Sequence, residues 1–248
     1  MSRLITVPLA LLFALSLQWN TQAEVFEMRT YTTNDGKLDA LHARFRDHTM
    51  KLFEKHGIEN VGYWVPTKGE ESKNTLIYVI KHKSRDAAKA SWQAFMKDED
   101  WQAAYKASIA DGRLVKEVKS VYMNATDYSP SYKSSSDDGV FELRVYTTTE
   151  GKLPNLNARF RDHTVGLFEK HGIQNVAYWT PVEEPKSQNT LVYIIKHASP
   201  DAAKKSWSAF GSDPEWKKVA KASRVDGSIL ASTPESTYMS ATDYSPMK

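Results

Sequence analysis

The stretch ARFRDHTMKLFEKHGIENVGYWVP, at Ala43–Pro66, recurs 115 residues later as ARFRDHTVGLFEKHGIQNVAYWTP, at Ala158–Pro181. A repeat as long as a small domain indicates a tandem duplication, whereas solenoid repeats have periods of about 20–50 residues. The chain of 248 residues is therefore predicted to hold two homologous domains. With 41% hydrophobic and 25% charged residues, it has the composition of an ordinary globular protein.

Residues 1–23 have the pattern of a secretory signal peptide. A short apolar run at Ile5–Leu17 follows Arg3, and the small residue Ala23 precedes Glu24. We expect cleavage after Ala23 because the apolar run is too short to span a bilayer comfortably. The mature protein is then periplasmic or secreted and has no stable membrane anchor. The rest of the chain is predicted to divide into a first domain at 24–128, a linker at 129–139 and a second domain at 140–246.

Within each domain the hydrophobic pattern predicts the order strand, helix, strand, strand, helix, strand. The first strand alternates. We expect Phe26 and Met28 to face the helices, whereas Glu27, Arg29 and Tyr31 face the opposite side. The element order is that of a split βαβ unit. We therefore predict an α+β protein made of two tandem ferredoxin-like βαββαβ domains.

The charge pattern argues against nucleic acid as a partner. The formal net charge is +3, and acidic and basic residues are interleaved without a basic block. The sequence contains no cysteine, so disulfides and a lipid-modified cysteine are both excluded. No cluster or spacing of histidines typical of a zinc site is present, and we predict no metal.

Several motifs of the chain resemble those of the NIPSNAP family. Both copies contain a Phe-Glu-x-Arg-x-Tyr strand, a helix with Phe-Arg-Asp-His-Thr, a Leu-Phe-Glu-Lys-His-Gly turn, a strand with Tyr-Trp and a later Trp-x-x-Phe helix; the second copy varies the first motif only in its spacer residues. The resemblance implies a dimeric α/β-barrel, in which two ferredoxin-like units pack sheet against sheet with helices outside. Since one chain carries both units, we expect a pseudo-dimer whose barrel closes within the chain. Further homo-oligomerisation stays open.

Two histidines are candidate ligands or proton-transfer groups. His48 and its counterpart His163 fall on the apolar stripe of their predicted helices, where leucine or phenylalanine is the ordinary choice. Burying an imidazole costs free energy unless its nitrogens find partners. The position therefore favours either a functional group or a structural histidine bonded to a backbone carbonyl. Both interpretations stay open.

The polar face of the first strand is a second candidate site. Arg29 and Tyr31, with Arg144 and Tyr146 in the second copy, are expected to face the barrel interior, because their apolar neighbours are assigned to the helices. There the arginines form either a structural Glu–Arg network across the pseudo-two-fold interface or a pocket for an anionic ligand.

Two tryptophans are the last candidates. Trp64 and Trp179 each follow a tyrosine in the second strand of their domain. They either line an aromatic pocket for a flat ligand or belong to the core. No phosphate-binding loop, nucleophile motif or pair of carboxylates accompanies them, so no catalytic residue is assigned.

We predict an exported protein that binds a small hydrophobic or anionic molecule in a polar and aromatic pocket. One alternative is an enzyme of the barrel superfamily, monooxygenase- or isomerase-like and working with or without haem, because the resemblance extends to barrel families that include haem-degrading monooxygenases. Another alternative is a structural or partner-binding module. The cofactor and the identity of the ligand are left open.

Overall fold

The computed structural model describes residues 23–131 and 139–248. The predicted signal peptide, apart from Ala23, and most of the predicted linker lie outside the described residues. Within the described ranges, no helix is both long and apolar enough to cross a bilayer.

The two halves contain the same elements in the same order. The strands of the first half are β1 (Val25–Thr33), β2 (Glu59–Pro66), β3 (Thr75–His82) and β4 (Val115–Ala125). Its helices are α1 (Leu38–Arg44), α2 (Met50–Lys55), α3 (Glu71–Asn74), α4 (Arg85–Lys97) and α5 (Glu99–Ser108). The strands of the second half are β5 (Val140–Thr147), β6 (Gln174–Pro181), β7 (Thr190–His197) and β8 (Glu235–Ala241). Its helices are α6 (Leu153–Arg159), α7 (Val165–Lys170), α8 (Lys186–Asn189), α9 (Pro200–Ser212) and α10 (Pro214–Ala222).

All eight strands form one closed barrel in the order β1-β3-β2-β8-β5-β7-β6-β4. Every neighbouring pair is antiparallel. Two seams join the halves, because β2 pairs with β8 and β4 pairs with β6. The predicted α+β fold of two tandem βαββαβ units is confirmed, and the barrel closes within the chain as expected.

Three hydrophobic clusters hold the molecule together. One fills part of the barrel interior and includes residues of both halves, such as Trp64 and Met239. The other two lie between the sheet and the helices of each half and include Phe45 and Phe160. Since successive side chains of a strand point to opposite faces, each strand contributes to the interior and to one helix layer.

The repeated phrase Ala-Thr-Asp-Tyr-Ser-Pro, at 125–130 and 241–246, fastens each half to the other. We call these two stretches the closing segments. In the first, both Asp127 oxygens accept hydrogen bonds of 2.7 Å from Arg161 of the second half. In the second, Asp243 accepts bonds of 2.7 and 2.8 Å from Arg46 of the first half.

A serine in each closing segment completes a strand of the opposite half. The Tyr63 amide donates to Ser245 Oγ over 3.0 Å, and the Tyr178 amide donates to Ser129 Oγ over 2.9 Å. Each serine therefore takes the place of a ladder partner where β2 or β6 meets the end of its neighbouring strand.

We expect Ser245→Ala to lower the free energy of unfolding by about 1–3 kcal/mol, because it leaves the buried Tyr63 amide without its acceptor. Urea denaturation of the mature protein measures this change. Ser240→Ala, at an exposed position of β8, is the matched control and should have little effect. Equal stability of both variants would show that water replaces the serine at no cost.

Candidate functional site

Four aromatic rings pack in two pairs inside the barrel. Trp64 packs against Phe141 of the other half, and Trp179 packs against Phe26, each pair with ring centroids 5.6 Å apart. Both tryptophans are buried, and neither indole N–H has a hydrogen-bond partner among the described residues. We call the four rings the barrel floor.

Towards the C-terminal ends of β1 and β5, the barrel contains a cavity of about 850 Å³ that opens to solvent, and none of the four floor rings is among its lining residues. Every strand of the barrel contributes at least one lining residue. The lining is apolar along much of the wall, with Met28, Ile77, Val121, Leu143, Val145 and Val192. Hydroxyl-bearing residues of the lining are Thr30, Thr75, Ser120, Thr147, Thr190, Ser236, Thr237 and Tyr238, and charged ones are Lys68, Glu71, Lys119, Lys186 and Glu235. We call this space the barrel cavity.

Matched positions on the two walls of the barrel cavity carry charges of opposite sign. Lys119 pairs in register with Thr30 on the first-half wall, whereas Glu235 pairs with Val145 on the second-half wall. A symmetric duplication would place the same residue on both walls, and here an ammonium group has become a carboxylate, whereas the reverse exchange replaces Glu71 by Lys186. The two walls of the barrel cavity are therefore not chemically identical.

The predicted orientation of the first-strand residues is wrong. Met28 lines the barrel cavity, whereas Arg29 and Tyr31 face the helices, and Arg144 and Tyr146 do the same in the second half. The physical reason is that both faces of the sheet are covered. The alternation of residues along a strand shows which side chains share a face. It does not show which face lines the barrel interior when both faces are covered by protein.

On the helix side, a buried carboxylate organises a polar network. Glu27 Oε1 accepts hydrogen bonds from Arg29 Nη1 at 2.5 Å and Ser120 Oγ at 2.7 Å. Its Oε2 lies 3.0 Å from His82 Nε2 and accepts a bond of 2.8 Å from Trp92 Nε1. All five residues belong to the first half, so the network does not cross the pseudo-two-fold interface.

Within this network, the Arg29 guanidinium is already paired with the Glu27 carboxylate. Burial raises the pKa of Glu27, but the hydrogen bond from His82, the charge of Arg29 and the bonds from Ser120 and Trp92 outweigh it and lower the pKa to about 2. The Arg29 guanidinium also packs over the Trp92 ring, 4.6 Å from its centroid. This geometry favours the structural interpretation of the arginine over a pocket for an anionic ligand.

The second half repeats the network. Glu142 lies 3.2 Å from His197 Nε2 and accepts from Ser236 Oγ at 2.6 Å and from Trp207 Nε1 at 2.8 Å. Arg144 Nη1 donates to the same carboxylate over 2.5 Å. Burial raises the pKa of Glu142, but the bonds from His197 and Ser236 and the charge of Arg144 lower it to about 2.

The prediction that His48 and His163 lie on buried stripes is also wrong, because both are exposed. A π-helical turn at Phe45–Thr49 separates α1 from α2, and Phe160–Thr164 forms the same turn in the second half. A π turn accommodates one more residue than an α turn. The extra residue rotates the following positions, so that Thr49 occupies the buried site predicted for His48.

Comparison with known proteins agrees with this architecture. The NIPSNAP family model matches residues 26–130 and again 141–246. The chain belongs to the NIPSNAP family. No curated protein matches it.

Two solved structures resemble the whole NIPSNAP pair. The "putative monooxygenase" of Lactobacillus acidophilus NCFM superposes with a TM-score of 0.59 at 10% identity, covering 89% of this chain and 94% of that chain. An anthrone oxidase-like protein gives a TM-score of 0.55 at 12% identity, covering 92% of this chain and 95% of that chain. At these identities, the likeness concerns the fold alone.

Sequence reasoning missed the two histidines that the NIPSNAP halves do bury. His82 and His197 end β3 and β7, are almost completely buried, and contact Glu27 and Glu142. The sequence does contain a weak indication that these two histidines are buried. Each closes an apolar strand that leaves no exposed face, so a polar residue there requires a buried partner.

The residues around the barrel cavity do not supply an obvious metal or haem ligand. Among residues 23–131 and 139–248, no cluster of three His, Cys, Asp or Glu side chains is placed to hold a metal ion. No histidine belongs to the cavity lining in this part of the chain, and the exposed His48 and His163 lie outside it. A haem held in the barrel cavity by a histidine therefore does not fit these residues.

Proposed function

We propose that this NIPSNAP protein is exported and binds a small amphipathic molecule in the barrel cavity. The supporting observation is the barrel cavity itself, whose volume of about 850 Å³ falls in the range of about 300–1,000 Å³ typical of ligand sites. Its lining combines apolar side chains with a few hydroxyl and charged groups, which is also the usual composition of such sites.

The lining indicates how such a molecule is oriented. An apolar body packs against Met28, Ile77 and Leu143, because these side chains form the deeper wall next to the floor. A polar or anionic end lies at the mouth, where Lys119 contributes an ammonium group and Thr30 a hydroxyl group. This assignment refines the predicted class of a hydrophobic or anionic ligand to a molecule with both features.

An oxygenase acting on an apolar molecule is the second candidate. Two structural neighbours that cover most of this chain carry a monooxygenase and an oxidase-like description, and the barrel cavity has room for such a substrate. This candidate uses the same cavity and differs from a binding protein in turnover. Oxygen consumption in the presence of a bound ligand separates the two.

Native mass spectrometry of the protein purified from its own host is the first test. We expect a chain that begins at Glu24, together with added mass from a non-covalent ligand. A bare mass followed by failure to bind the apolar anionic dye 1-anilinonaphthalene-8-sulfonate would contradict the proposal. A mass that retains residues 1–23 would contradict export with cleavage.

We expect Thr30→Trp to abolish dye binding, because a large ring at this half-buried position fills the mouth of the barrel cavity. Val118→Trp is the matched control, since Val118 is an exposed residue of the neighbouring strand and does not line the cavity. Fluorescence titration measures the dye affinity of both variants. Equal affinity in the two variants would favour a structural or partner-binding role for the barrel.

A further inference from the structure

The two halves differ in the side chains beside the last helix before the final strand, which is α5 in the first half and α10 in the second. In the first half, the Arg44 guanidinium lies over Trp101 and Tyr105, 5.4 and 5.5 Å from their ring centroids. The 115-residue repeat aligns Arg44 with Arg159 and Trp101 with Trp216, and this pair keeps its distance of 5.4 Å.

Two substitutions change this space in the second half. The counterpart of Tyr105 is Ala220, so one of the two rings beside the arginine is missing. The counterpart of Ile109 is Arg224, so a second guanidinium is present. The second half thus has a methyl group in place of a phenol ring and a cation in place of an aliphatic side chain.

Beside Ala220 lies a cavity of about 260 Å³, which we call the second-half cavity. Both Arg159 and Arg224 line it. Its other walls are largely aromatic, with Tyr146, Phe160, Phe168, Phe210 and Trp216. It shares no lining residue with the barrel cavity, so it is a separate site.

The cations of the second-half cavity lack an anionic partner. Arg159 is only 9% exposed, its Nη1 donates to Ser223 Oγ over 3.3 Å, and its Nε has no partner among the described residues. Arg224 Nε donates to the Ala220 carbonyl over 2.8 Å. Neither guanidinium forms an ion pair with a carboxylate in the described part of the chain.

An unpaired buried guanidinium is energetically costly. Burial lowers the pKa of Arg159, Tyr146 and Tyr193 partly offset this effect, and the charge of Arg224 adds to it. An anion placed between the two arginines removes the repulsion and accepts the free N–H groups in the bidentate geometry that guanidinium favours.

We propose that the second-half cavity binds a small carboxylate with a planar apolar body. The carboxylate accepts hydrogen bonds from Arg159 and Arg224, and the body packs among Phe160, Trp216 and their aromatic neighbours. Aromatic walls favour a flat molecule because ring faces and edges interact specifically with one another. The first half, which has a tyrosine and an isoleucine at the corresponding positions, does not form this site.

Calorimetric titration of the full mature chain with benzoate tests the proposal. We expect one equivalent of benzoate to bind. Ala220→Tyr should abolish binding, because a phenol ring at this buried position takes up space in the cavity. Arg224→Ile should weaken binding about tenfold, which corresponds to about 1.4 kcal/mol for a lost charged hydrogen bond. Both replacements come from the first half, where the same fold accommodates them.

Three further measurements decide the outcome. Toluene and inorganic phosphate, which each match only one part of the site, should bind more weakly than benzoate. Tyr105→Ala, which opens the first-half space without adding a second arginine, should leave the stoichiometry at one. Absence of benzoate binding, unchanged affinity in Ala220→Tyr, phosphate binding as tight as benzoate binding, or a second equivalent in Tyr105→Ala would each overturn the assignment.

Discussion

Replacing Glu27 by alanine is expected to lower the free energy of unfolding by about 3–5 kcal/mol. The Glu27 carboxylate is fully buried and accepts hydrogen bonds or ion-pair contacts from Arg29, Ser120, His82 and Trp92. Without it, a largely buried guanidinium and an indole N–H lose their acceptor, and no described carboxylate is placed to replace it. Chemical denaturation of the mature protein measures the loss.

The same network predicts acid sensitivity. Its surroundings lower the pKa of Glu27 from 4.5 to about 2 in the folded protein, and Glu142 behaves alike. A carboxylate with a lowered pKa contributes stability that is complete above its ordinary pKa and is lost as the pH falls towards the folded value. As the pH falls from 4.5 to 2, protonation of each glutamate should therefore lower the free energy of unfolding by on the order of 3 kcal/mol.

Two variants serve as controls for these expectations. Glu70→Ala removes an exposed carboxylate paired with Lys73, and it should change stability by less than about 0.5 kcal/mol. Glu27→Gln keeps the shape of the side chain but cannot ionise, so its stability should depend less on pH than that of the wild type. A Glu27→Gln protein with the same loss of stability below pH 4.5 would show that other carboxylates cause the acid sensitivity.

The architecture could be predicted from the sequence because it depends on patterns that repeat. The 115-residue shift indicates a duplication, and the alternation of apolar residues in stretches such as Val25–Thr33 indicates strands. Ser84 caps α4, because its Oγ accepts a hydrogen bond from the Ala87 amide over 3.0 Å, and serine is a preferred residue at this position. Local signals of this kind do not require knowledge of what packs against an element.

The location of the candidate site could not be predicted because it depends on which covered face encloses the cavity. In β1, Phe26 and Met28 alternate with Glu27 and Arg29, and the charged face was assigned to the interior. In the structure, α4 covers the charged face and supplies Trp92 as a partner for Glu27. The partner is 65 residues away along the chain, and a two-residue period carries no information about it.

The prediction that His48 and His163 are buried was wrong for a different physical reason. A helix period of 3.6 residues places His48 on the stripe that contains Leu41 and Phe45, but the π turn at Phe45–Thr49 adds a residue before the stripe resumes. The hydroxyl of Thr49 then donates to the Arg44 carbonyl over 3.1 Å, five residues earlier. The repeated Phe-Arg-Asp-His-Thr motif therefore corresponds to a change of helix geometry, which single-residue propensities do not indicate.

Removing a ring from the barrel floor should have an effect as large as removing Glu27. Trp64→Ala is expected to cost about 3–5 kcal/mol, because it deletes a buried indole and leaves a cavity beside Phe141. Trp64→Phe keeps an aromatic ring at the site and should cost less. Thermal unfolding of both variants, with Val118→Ala as the exposed control, measures the difference.

The floor also couples the two halves, because Trp64 belongs to the first half and Phe141 to the second. A double-mutant cycle with Phe141→Leu should therefore give an interaction energy of about 0.5–1.5 kcal/mol, the usual contribution of an aromatic pair. The cycle Trp179–Phe26 should give a similar value, since its geometry is the same. Additive effects in both cycles would mean that the halves meet only along the seams and closing segments. Coupling would mean that the barrel interior forms only when both halves are folded.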